Sequence, residues 1–276
     1  MLAWLGENTM PAGMRLAASL ALAALLLAPS SGAARPRKAT ARAAPVVSVR
    51  GQTRFLSKDP HGPLALAKGS GLSAPAASAC RTWGDADGVW YTLDRLGHVV
   101  GKAEVTGMER YDVTNCDELH LEPVAGGAGA GIFASKGYRA AALSSWKPGG
   151  KALAELEGLI RRRDRPLGGR DLPLEQRTIA WKAPDGGEWA VVGGRRLTVL
   201  RREAGAWRVM HKIEPPRREE AALDRFMPVA VLDMNGDGKI EIVVHEDQLT
   251  SYSDFTLTPS SRGYRRIDAG IHGSTA

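Results

Sequence analysis

Asp233-Met234-Asn235-Gly236-Asp237-Gly238-Lys239-Ile240-Glu241 is the stretch on which the reading of this chain turns. Counted from Asp233, side-chain oxygens fall at the first, third, fifth and ninth places: Asp233, Asn235, Asp237 and Glu241. Lys239, at the seventh, offers its backbone carbonyl. Calcium takes about six to eight oxygens, and alternating side chains in a tight loop can converge on one centre. Gly236 and Gly238 permit the positive φ angles that such wrapping needs. Magnesium prefers a stricter octahedron and keeps its water, so Ca2+ is the expected ion. A solvated Asn-Gly-Asp-Gly turn without an ion is the plainer reading of the same residues.

The flanks decide the fold around it. Pro228-Val-Ala-Val-Leu232 precedes the loop and Ile240-Glu-Ile-Val-Val244 follows it, and both have the β-branched content of strands. The opening D-x-N-G-D-G matches an EF-hand loop, but the twelfth position is Val244 rather than a bidentate Glu, and no amphipathic helix enters or leaves. The stretch, over about residues 226–260, resembles the FG-GAP or VCBS repeat of calcium-binding β-propellers. In that repeat a strand leads into a D-x-N/D-x-D-G-x-x-D/E loop and a second strand leads out. The resemblance implies a bound Ca2+ held by Asp233, Asn235, Asp237, the carbonyl of Lys239, and Glu241. It also implies a propeller-like setting, in which 94–98 and 185–187 would be equivalent turns without the ligands.

Working outward, the C-terminal half is a series of short strands separated by Gly- or Pro-containing turns. Strands are predicted at 178–182, 188–192, 196–200 and 207–213, then on both sides of the loop, then at 252–257 and 264–267. Trp181, Trp189 and Trp207 fall within these strands and read as core. Towards the N-terminus, strand patterns cover 89–93, 98–105, 109–113, 119–123, 131–134 and 138–143. One helix is predicted over 151–163, where Leu153, Leu156, Leu159 and Ile160 follow the helical repeat. Arg161, Arg162 and Arg163 end it, where cations suit the helix dipole. The fold class expected is mainly β, with about fourteen strands. The antiparallel meanders would form an irregular or small β-propeller-like domain with one helix, the alternative being a β-sandwich-like arrangement.

The remaining organisation follows from composition. Residues 1–34 read as a signal peptide. Arg15 precedes the apolar run 16–28, and the small residues 30–34 place cleavage near Ala34. The run is too short to span a bilayer, which takes about 20 residues. Export is therefore expected, to the exterior, periplasm or cell envelope, with no transmembrane span afterwards. Residues 35–78 read as a basic, Ala/Pro-rich disordered linker, with a short strand at 46–49, and 79–276 as the calcium-binding β-rich domain. The net charge of +7 is concentrated at the front. Arg35, Arg37, Lys38, Arg42, Arg50 and Arg54 have no acid among them, so the basic balance belongs to a tail. Weak contact of residues 35–54 with an anionic surface is one reading of it, and a solvated linker the other. Specific nucleic-acid binding is not expected. Cys80 and Cys116 are the only cysteines, and in an exported chain they are compatible with one disulfide or with two buried thiols.

No zinc HExxH, nucleophile elbow or phosphate loop occurs in the sequence. Gly129-Ala-Gly131-Ile-Phe-Ala134 fits a dinucleotide fingerprint but lacks the β-α-β surroundings that give it meaning. The expected function is an exported, non-catalytic binding or surface-interaction protein. Its partner would be a protein or glycan at the cell exterior. The alternative is a secreted hydrolase with acid-base groups drawn from Asp94, His98, Asp112, His120 or His245.

Overall fold

The computed structural model describes residues 52–57, 62–75, 88–110, 117–127, 129–163, 172–215, 225–248 and 251–274. The predicted signal peptide, the strand at 46–49, Cys80, Cys116 and Asp112 lie outside them. In chain order the first strands are β1 (Gln52–Ser57), β2 (Pro63–Lys68), β3 (Gly71–Ser73), β4 (Val89–Leu93), β5 (Val99–Arg110), β6 (Asp117–Gly126) and β7 (Ile132–Ala134). Then come β8 (Ser144–Ser145), the helix α1 (Gly150–Arg163), β9 (Thr178–Lys182), β10 (Glu188–Val192), β11 (Leu197–Glu203) and β12 (Ala206–Ile213). The last four are β13 (Arg225–Leu232), β14 (Glu241–Asp247), β15 (Ser251–Ser260) and β16 (Gly263–Ser274).

Over the described residues the chain is mainly β with one helix, and the strands form three antiparallel sheets, none of them closed. Seven strands in the order β3-β2-β1-β7-β4-β5-β6 make the first sheet. The second runs β12-β11-β10-β9-β8, and the third β13-β14-β15-β16. The second and third contain the meanders that turn spacing predicts. The first does not follow chain order, because β7 inserts between β1 and β4 and pairs with both.

Period-two alternation explains how the sheets stack. On β14, Val243 faces one core, while Ile242 and Val244 face another. Val243 joins Ala230, Leu232 and Ile267 of its own sheet against Phe55, Leu64 and Leu93 of the first sheet. Ile242 and Val244 join Phe255 and Leu257 against Ile179, Trp181, Val191 and Val199 of the second. The third sheet is thus a middle layer, buried on both faces. A bulge between Pro228 and Ala230 in β13 shifts the register within that layer.

The outer face of the second sheet is covered by α1. Leu156 and Ile160 pack on Ala190, Val192, Leu200 and Trp207. The Trp207 indole N–H donates to the Ala152 carbonyl at 2.8 Å, fixing the first turn of the helix to the sheet. The Trp146 and Trp207 rings lie 5.6 Å apart. Trp181 and Trp207 are core residues, as their strand positions predict, and Trp189 packs against the same core as Trp181.

Two expectations need correction. Strands β1 to β3 fall within 35–78, the span predicted to be a disordered linker. Phe55, Leu56, Leu64 and Ala65 are fully buried there, so the folded unit extends well before residue 79, and Arg54 belongs to β1 rather than to a tail. The small residues of Leu64-Ala65-Leu66-Ala67 allow close sheet packing but give a weak strand signal. Residues 138–143 are irregular rather than extended into a strand. Tyr138 instead turns its hydroxyl to the Gly97 carbonyl at 2.8 Å.

Candidate metal centre

The loop joins β13 to β14 between the paired residues Leu232 and Glu241. Its ends are held by burial. Met234 enters the core shared with the first sheet and Ile240 the core shared with the second. Between them the chain is exposed, and Gly236 and Gly238 take φ angles of 73° and 79°.

Asp233 organises the turn. Its Oδ1 accepts the amides of Gly236 at 2.7 Å and Asp237 at 3.1 Å, and its Oδ2 accepts that of Gly238 at 2.9 Å. Asn235 Oδ1 accepts the Asp237 amide at 3.2 Å, while its Nδ2 donates to the Ser70 carbonyl at 2.8 Å. That bond ties the loop to the β2–β3 turn. Asp237 Oδ1 accepts the Lys239 amide at 2.9 Å, and Lys239 Nζ stands 3.6 Å from Asp237 Oδ2. At the far end, Glu241 is fully buried. Its Oε2 accepts the Met234 amide at 2.8 Å and its Oε1 the Thr258 hydroxyl at 3.2 Å.

The electrostatics are one-sided. Asp233 and Glu241 are buried, and among the described residues neither forms an ion pair with a cation. Burial pushes the Glu241 carboxyl up to about 8, reinforced by Asp233 and Asp237 and opposed by the Met234 amide and the Thr258 hydroxyl. Tyr138 is raised by burial and by Asp233, Asp94 and Glu241. Tyr264 is raised by burial and by Glu241. Both phenols therefore feel a negative field centred on the loop.

The residues suit a hard cation by their chemistry. A carboxylate has about four lone-pair positions. The bonds given above leave at least one open on Asp233, Asp237 and Glu241, and one on the Asn235 oxygen. A divalent cation would offset buried negative charge that no side chain offsets. The acids turn to the loop amides. Among the described residues, no three His, Cys, Asp or Glu side chains come together as a metal-holding group.

A pH dependence follows from Glu241. Without an ion, the native state keeps a proton that the unfolded chain begins to release near the ordinary value of 4.5. The native state then binds more protons than the unfolded chain, so stability falls as pH rises. The contribution is complete below about 4.5 and lost as pH rises through about 8. In EDTA, the unfolding free energy from urea titrations is expected to decline over that window by a total of about 5 kcal/mol. Glu241→Gln, a neutral isostere, is expected to flatten the profile. A wild-type profile already flat between these limits would show that Glu241 ionises freely in the fold.

The other candidate residues are placed as follows. Asp94 and His98 meet in the β4–β5 turn, with His98 Nδ1 3.0 Å from Asp94 Oδ2 and Nε2 2.9 Å from the Leu143 carbonyl. Both ring nitrogens are engaged, and Asp94 Oδ1 also accepts the amides of Leu96 and His98. His245 lies in β14, its Nδ1 2.7 Å from Asp254 Oδ1. It pairs with Met227, whereas the β4–β5 turn docks at Val231, whose amide donates to the Arg95 carbonyl. At about 3.4 Å per residue those points are roughly 14 Å apart along β13. His120 sits in β6, beside β5. The four described candidates therefore do not gather. No local signal marks Thr258, Ser70, Tyr138 or Tyr264, which come near the loop only through strand pairing and packing.

No helix among the described residues is long and apolar enough to cross a membrane. The chain matches no family model, no curated protein and no solved structure.

Proposed function

We propose that this is an exported, non-catalytic binding or surface-interaction protein whose 233–241 loop holds one structural calcium ion. The observation that carries the metal reading is the pair of buried carboxylates, Asp233 and Glu241, with no cationic partner among the described residues. Asp233, Asn235, Asp237, the Lys239 carbonyl and Glu241 would hold the ion, as the resemblance to FG-GAP or VCBS repeats implies. Calcium would supply the positive charge that the buried acids lack and would brace β13 against β14. The non-catalytic reading is supported by the engagement of His98 at both ring nitrogens. The propeller-like architecture belongs to the same proposal. Face-to-face stacking of antiparallel sheets is the relation between neighbouring blades, though sandwich layers share it. The signal-like N-terminus supports export, and the partner class that goes with it is a protein or glycan at the cell exterior.

Calorimetry with Ca2+, paired with melting in Ca2+ and in EDTA, tests the metal. At 100-fold excess over its dissociation constant, a bound ion stabilises by about 2.7 kcal/mol. That corresponds to a rise in melting temperature of roughly 5–10 °C for a chain of this size. Absence of calcium heat together with identical melting in EDTA would sink the reading.

A further inference from the structure

A cavity of about 430 Å³ lies between α1, the beginning of β9 and the β4–β5 turn. Its lining shares no residue with the calcium loop. The volume falls within the roughly 300–1,000 Å³ of small-molecule sites. It far exceeds the ~30 Å³ that one water occupies. Its walls are apolar: Leu96, Trp146, Leu153, Leu156, Leu174 and Ile179. Leu96, Leu156 and Ile179 are buried, while Trp146, Leu153 and Leu174 remain half-buried.

Two cations, Arg95 and Lys147, also line this cavity, against one acid, Glu175. Arg95 donates from Nη2 to the Pro228 carbonyl at 3.3 Å and forms no ion pair among the described residues. A guanidinium has five N–H donors, so most of its donor capacity is open. Burial lowers the Arg95 pKa from its ordinary value, as expected for a cation partly withdrawn from water without an anionic partner. Lys147 is exposed and also has no ion pair among the described residues. The excess of one positive charge suits a single anionic head, and Glu175 disfavours a second.

We propose that this cavity binds a small amphiphile with an apolar tail and one carboxylate, of the class of a medium-chain fatty acid. The tail lies against Trp146, Leu153 and Leu156, and the carboxylate meets Arg95 and Lys147. Apolar burial provides affinity and the two cations select the head.

Titration calorimetry on the full chain with octanoate, 1-octanol and acetate tests this. Octanoate is expected to bind saturably at one site, 1-octanol more weakly, and acetate without measurable heat. The double variant R95A/K147A is expected to bind octanoate at least about tenfold more weakly, with 1-octanol unchanged. Leu153→Trp, filling the cavity from the helix, is expected to remove both heats while melting stays cooperative. If that variant fails to fold, Ala180→Phe fills the same space from β9. No saturable octanoate heat would overturn the proposal, as would equal octanoate affinity in wild type and the double variant. Retention of binding in the folded filled variant would do the same.

Discussion

Gly97→Ala is expected to destabilise the protein by about 2–5 kcal/mol, read from the shift of the urea transition in EDTA. Gly97 closes the β4–β5 turn at φ 75°. A left-handed conformation costs an L-residue roughly 1–2 kcal/mol. The surroundings add the rest. A Cβ at this position would stand 2.5 Å from Leu232 Cβ and 2.6 Å from the Tyr138 hydroxyl oxygen. Neither neighbour is free to move. Leu232 is fully buried in the middle sheet, and the Tyr138 hydroxyl donates to the Gly97 carbonyl itself. Overpacking of this kind typically costs a further 1–3 kcal/mol or so. Gly236→Ala is the matched control. Gly236 has φ 73°, but nothing lies within 4 Å of where its Cβ would be. Its cost is expected to be only about 1–2 kcal/mol. Equal costs for the two variants would mean that the turn does not depend on tight docking against β13.

Asp233→Ala is expected to abolish measurable calcium heat, an affinity loss of at least about 100-fold. Losing an outer-shell partner alone typically costs 10–100-fold, and Asp233 is proposed as a direct ligand. The same variant is expected to lose stability in EDTA, by roughly 1–3 kcal/mol, because the Gly236 and Gly238 amides lose their acceptor and the Asp237 amide keeps only the Asn235 oxygen. Asp237→Ala separates the two effects. Asp237 is exposed and its side chain accepts one loop amide. It should cost most of the calcium affinity and less than about 1 kcal/mol in EDTA. If both variants bind calcium like wild type, the loop is a self-capped hairpin and not an ion site.

The loop and the strands after residue 178 were legible because their signals are local. Gly and Pro separate short β-branched runs, and hairpin order then follows from sequence order. The helix was legible from four apolar positions on one face. The first sheet was not. Its strand β2 uses alanine where larger residues would announce a strand, and the insertion of β7 is a non-local pairing with no local mark. In the loop, the spacing of oxygen-bearing residues could be read directly. The burial of Glu241 could not, since it depends on Thr258 and on sheets packed on both faces of β14. Asp94 is a further instance. The sequence offered it as an acid-base candidate, whereas it caps its own turn much as Asp233 caps the loop.

The position of the third sheet has a consequence for synthesis. Its strands are the last four described in the chain, 225–274, yet they supply the inner layer on which both other sheets close. During N-to-C synthesis, the first and second sheets emerge with their inner apolar faces bare. Those faces stay exposed until the final fifth of the chain arrives, the situation in which nascent chains are most prone to aggregate or to engage chaperones. A purified chain truncated after residue 224 should therefore be protease-sensitive throughout, including the meander β9–β12. The complete chain should be resistant over all three sheets together.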